Sequence, residues 1–100
     1  MRLSDDDIRG RTVISADGLA VGEIAAVFID SDAWRVEALQ VKLRKEMADQ
    51  LGAERSMFQP GTIEVPVQMV QSVGDAVILG VAADALRQVV PSAIATMPGH

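Results

Sequence analysis

Cysteine and tyrosine are absent from this chain, which holds one histidine, one tryptophan and two phenylalanines. Without cysteine there is no disulfide and no thiolate metal site, a composition that suits a reducing cytoplasm. The one histidine is His100, the last residue. Nucleophilic catalysis needs a nucleophile with a base held beside it, and a chain end is a poor place to hold one. Three rings do not build a stacking platform for single-stranded nucleic acid. Basic charge is also short: nine Lys and Arg stand against fourteen Asp and Glu, for a net charge of −5. Nucleic-acid modules carry a basic footprint, so direct nucleic-acid binding is not expected, whereas docking onto a basic protein is compatible. No apolar run is long enough to span a bilayer. The start, Met1 to Asp7, lacks the apolar core of a signal peptide. No Gly-rich phosphate loop follows a strand and opens a helix. The expected location is cytoplasmic.

What the chain does contain is aliphatic. Apolar residues make up 49% of it. A single domain over residues 1–100 is expected, with residues 1–7 as a lead-in and 91–100 as a tail. A domain of this size buries about 60–65% of its unfolded surface. Its interior volume is limited, so part of the apolar excess either faces a partner or is alanine left exposed.

The organising stretch runs from Thr12 to Leu43 and reads as three strands. The first covers about Arg11 to Ser15 and turns at Asp17-Gly18, where glycine tolerates positive φ. Gly22 opens the second strand, at a point where a side chain does not fit against neighbouring backbone. In that strand, Val21 to Ile29, the apolar residues Ile24, Val27 and Ile29 share a face only if a β-bulge falls near Ala25-Ala26. Phe28 then points the other way. The third strand repeats the pattern, since Val36, Leu39, Val41 and Leu43 align only with a bulge near Glu37-Ala38. Two bulges in neighbouring strands predict a strongly coiled sheet of the kind that closes into a small barrel. Asp30 and Asp32, in the loop between these strands, read as turn-makers through side chain to backbone hydrogen bonds.

Beyond Leu43, Met47 and Leu51 continue an apolar stripe at helical spacing, which predicts a helix over Arg44 to Leu51 that ends at Gly52. Met57 and Phe58 follow in a polar loop, and either fold back on the core or stand at an interface. A fourth strand, Thr62 to Val67, ends at Pro66 or lies on an edge. One helical turn over Val67 to Gln71 leads to a fifth strand at Ser72-Val73. Gly74-Asp75 reads as a two-residue hairpin loop with glycine at positive φ, and a sixth strand covers Ala76 to Val81. Val77, Leu79 and Val81 face the core, which leaves Ile78 on the outer face. Asp84 is expected to cap a last helix, Ala85 to Val90, stopped by Pro91. The acidic run Asp5-Asp6-Asp7 does not converge on a cation unaided, and Ser4 or Asp5 suits the cap of a short turn. Catalytic, cofactor and metal sites are therefore all expected to be absent.

The pattern Val-Ile-Ser-Ala-Asp-Gly-Leu-Ala-Val-Gly-Glu-Ile, then Val-Phe-Ile-Asp, then Trp-Arg-Val-Glu-Ala-Leu-Gln-Val, resembles the PRC-barrel family. So does Ile-Glu-Val-Pro-Val-Gln-Met-Val-Gln-Ser-Val-Gly-Asp-Ala-Val-Ile-Leu. The resemblance covers Ile8 to Val81. It implies a mainly β fold: a small barrel of about six strands with one or two short helices. The family takes its name from the photosynthetic reaction-centre H subunit and includes the C-terminal domain of the bacterial ribosome-maturation factor. The chain shows neither the membrane helix of the first nor the extra N-terminal domain of the second. The resemblance implies a docking role and brings no catalytic residues.

Three readings of function follow. The first is a non-enzymatic protein-interaction module that self-associates as a homodimer and also meets another protein. Its candidate interface is the set of apolar residues on outer surfaces: Phe28, Trp34, Ile78 and Val90. The second is an accessory factor in ribosome maturation or RNA metabolism, acting through ribosomal proteins. The third, an enzyme or small-ligand carrier, needs a deep pocket with convergent polar groups.

Overall fold

The computed structural model describes residues 2–51 and 61–89. Six strands form one sheet: β1 (Thr12–Ile14), β2 (Ala20–Asp30), β3 (Arg35–Leu43), β4 (Thr62–Pro66), β5 (Val70–Val73) and β6 (Val77–Leu79). The spatial order is β4-β3-β2-β1-β6-β5. β1 pairs with β6 in parallel, and the other pairings are antiparallel. Among the described residues no ladder joins β4 to β5. One 3-10 turn, Val67–Met69, carries the chain from the first of these edges to the second. Pro66, which has no N–H to donate, ends β4 at that edge.

The two bulges lie where the apolar spacing requires them. Ile24 pairs with Val41 and Ala26 with Gln40, so Ala25 is the extra residue of β2. Phe28 pairs with Ala38 and Ile29 with Val36, so Glu37 is the extra residue of β3. A third irregularity separates Val13 from Ile14, opposite Gly22 and Ala20. Each bulge adds local twist, and the coiled sheet wraps aliphatic side chains. Val13, Val21, Ile24, Val41, Ile63, Val65, Val77 and Leu79 are almost completely buried.

Two helical elements pack on this core. In α2 (Lys45–Leu51), Met47, Ala48 and Leu51 are buried, which confirms the stripe. The last element differs from expectation. It is a 3-10 helix over Ala83–Val89, with Ala83 and Leu86 buried. Asp84 lies inside its first turn and does not precede it. The N–H of Ala83 is instead received by the Asp17 carboxylate at 3.2 Å. The β5–β6 connection also differs. It is a three-residue bend, Gly74 to Ala76, and Gly74 does not take a positive φ. The Arg11 guanidinium donates to the Gly74 carbonyl, so the bend is fixed from β1's side and needs no primed turn.

Two glycines carry the geometry expected of them. Gly18 has φ +84° in the turn after β1. At Gly22, a Cβ would meet the Lys42 carbonyl and come within 2.9 Å of the Leu43 Cα. Before β1, the short helix α1 (Asp5–Ile8) is closed by a capping box. The Asp7 N–H donates to Ser4 Oγ at 3.2 Å, and the Ser4 N–H donates to Asp7 Oδ2 at 2.9 Å. Three aspartates in the first turn suit the positive end of the helix.

Candidate interaction surface

The β2–β3 hairpin extends past the core. Its loop is Ser31 to Trp34, closed by the pair Asp30 and Arg35. Asp30 Oδ1 accepts the N–H groups of Asp32 at 2.9 Å and Ala33 at 3.3 Å. The Asp30 carbonyl takes the Trp34 N–H at 2.7 Å. Asp30 therefore builds the turn, as its position implied. Trp34 completes the loop at φ 54°, the only non-glycine with positive φ among the described residues. A left-handed backbone costs a bulky residue about 1–2 kcal/mol. Trp34 is 81% exposed, so the turn hydrogen bond to Asp30, and not packing of the ring, offsets that cost.

Ile29 and Val36, directly opposite each other on β2 and β3, are 54% and 39% exposed. They lie on the inner face with Ile24, Val27 and Leu39, as the bulges predict. The expectation that this whole face is core needs correction at its end. The hairpin outruns the strands that would cover it, and Ile29 and Val36 line an open cavity of about 610 Å³. Val27 and Leu39 continue its floor, and Val67, Val70 and Val73 form the facing wall. Leu3, Ser4, Asp5, Ile8 and Arg9 close one side. There the Arg9 Nε lies 3.1 Å from Asp5 Oδ2. A second depression of about 490 Å³ adjoins the first and shares Val36 and Val67 with it. Asp30, Glu37 and Glu64 line it together with Arg35.

The four residues nominated from sequence fall in different places. Trp34 stands at the hairpin tip. Phe28 is half-buried on the outer face, in a row with Ala38 and Pro66 across β2, β3 and β4. Ile78 is half-buried on the outer face at the other side of the sheet, beside Ile14 on β1 and Ser72 on β5. Val90 lies outside the described residues, as do Met57, Phe58 and His100. Ile29 and Val36 were not nominated, because alternation marked them as interior. The signal that would have found them is length: β2 spans eleven residues and β4 only five.

Two polar clusters hold turns and helix ends of the fold. Ser15, the one buried polar residue among those described, donates its hydroxyl to Asp17. Ser15 Oγ also accepts the Leu19 N–H at 3.2 Å. The Ser15 hydroxyl and the Ala83 amide hold the Asp17 carboxyl below its ordinary value. The Ser4 backbone and hydroxyl do the same for Asp7. No group of three metal-ligating side chains gathers among the described residues. No helix among them is long and apolar enough to cross a membrane.

Compared with known proteins, residues 1–86 match the family model of the PRC-barrel domain. No curated protein matches the chain.

Proposed function

This chain belongs to the PRC-barrel domain family, and we propose that it works as a non-enzymatic docking module that pairs with a second copy of itself. PRC-barrel domains are generally non-catalytic. The observation that carries the reading is Trp34, a large apolar side chain held in a strained backbone and exposed to water. The turn needs the Trp34 backbone but not its ring, so a tryptophan rather than a glycine at this left-handed position points to a role outside the fold. Tryptophan is also the residue type most enriched among interface anchors. Phe28 and Ile78 add half-buried apolar side chains to the outer face, one on each side of the sheet. Two-fold pairing of such a face is the commonest route to a homo-oligomer. The module works in the cytoplasm.

Because Trp34 is the only tryptophan, its fluorescence reports this surface alone. Diluting the protein through the micromolar range should move the emission from a shielded to a water-exposed position. Emission that stays water-exposed at every concentration would remove Trp34 from the pairing surface. A second reading, an accessory role in ribosome maturation or RNA metabolism through ribosomal proteins, draws on the net charge of −5, which favours basic partners. Co-purification of ribosomal proteins with the chain would support it.

A further inference from the structure

We infer that the open end of the sheet is a two-part groove for a cationic, amphipathic segment of a partner protein. This inference rests on the docking reading and names the partner's chemistry. The first part is the 610 Å³ cavity, where Ile29, Val36, Val67 and Val70 present aliphatic surface to an apolar anchor. The second part begins at the lip formed by Val36 and Val67. There Asp30, Glu37 and Glu64 line the adjoining depression against one cation, Arg35. Arg9–Asp5 is the one ion pair among the described residues, so none of the described cations pairs with these three carboxylates. Glu37 is the bulged residue of β3, and Glu64 lies on the outer face of the edge strand β4.

A groove greasy on one side and acidic on the other fits a segment with Leu- or Ile-type anchors on one face and Lys or Arg on the next. The apolar anchor supplies affinity by leaving water. The carboxylates steer and orient the basic face. Two other occupants fit less well. A second copy would bring the same three carboxylates against their like, which is repulsive. Residues 90–100 of the chain itself contain no Lys or Arg. Ala38 and Pro66, in a row with Phe28 on the outer face, also line the acidic part, so pairing of copies through that face leaves the apolar part open.

The test is calorimetric titration of the full chain with three synthetic peptides of equal length. One places leucines at helical spacing among lysines, one replaces the lysines with glutamates, and one is oligolysine. The Leu–Lys peptide should bind with a Kd of roughly micromolar order, weakening as salt rises. The other two should bind at least about tenfold more weakly. The double variant Glu37→Lys/Glu64→Lys, changed at exposed positions, should lose about tenfold. Ile29→Ser should lose a similar factor, with an unchanged circular dichroism spectrum. Oligolysine or the Leu–Glu peptide binding as tightly would overturn the proposal, as would no binding at all. A monomer that binds the Leu–Lys peptide contradicts the pairing reading and leaves the groove standing. A dimer that ignores the peptide does the reverse.

Discussion

Asp17 Oδ1 accepts the backbone N–H of Ala83 at 3.2 Å and so ties the first turn of the sheet to the start of the last helical element. The same carboxylate receives the Ser15 hydroxyl. Alongside it the Ala16 N–H donates to the Val81 carbonyl at 2.8 Å. The Ser15 hydroxyl, first, and the Ala83 amide, second, favour the ionised form and hold its pKa below 3.8. A carboxyl depressed in the folded state adds stability above its unfolded value, and that contribution is lost as pH falls through the lowered folded value. Thermal unfolding of the wild type should therefore move to lower temperature below about pH 4. Asp17→Asn should be less stable near neutrality and show a shallower acid limb. An acid limb as steep as that of the wild type would deny Asp17 this role.

Gly22→Ala should destabilise the domain by about 3 kcal/mol, the upper range for overpacking. The atoms in the way, the Lys42 carbonyl and the Leu43 Cα, are backbone. Relief requires β2 and β3 to separate beside the first bulge. Chemical denaturation of the variant measures this directly. A loss under about 1 kcal/mol would mean that the two strands tolerate a wider spacing there.

Leu86→Ala should cost about 2–5 kcal/mol. Leu86 is fully buried although it sits on a 3-10 helix near the end of the described chain. The same denaturation experiment reads it. A cost near zero would detach the Ala83–Val89 segment from the core.

Trp34→Gly separates folding from docking. Glycine takes the left-handed backbone freely, at the cost of extra chain entropy in the unfolded state. Stability should stay level or rise by up to about 1 kcal/mol, while self-association weakens. A variant that unfolds more easily and pairs as well as the wild type would show that the ring serves the fold.

Much of this architecture was legible because the sheet encodes it twice. The three-residue gaps Ile24 to Val27 and Val36 to Leu39 break alternation, and only an extra residue restores one face. Both extra residues, Ala25 and Glu37, lie within the pairs named from sequence. Gly22 and Asp17-Gly18 were legible because steric exclusion and positive φ leave few other residue types. What periodicity does not encode is relative strand length. It assigns Ile29 and Val36 a face, and it is silent on whether another strand covers that face. Nor does it show long-range caps. Asp84 has the right chemistry beside the last described helix, but the carboxylate that receives the Ala83 N–H comes from Asp17, distant in sequence and brought close because β1 pairs with β6. Gly74 misled for a related reason, since its bend is held by Arg11, the residue before β1.

The claim that copies of this chain pair through apolar surface meets its most direct test in sedimentation velocity at micromolar concentration. Wild type should run at twice the 10.6 kDa chain mass. Phe28→Asp and Ile78→Asp should run as folded monomers, with circular dichroism unchanged. A wild-type chain that sediments as a monomer throughout that range would contradict the account.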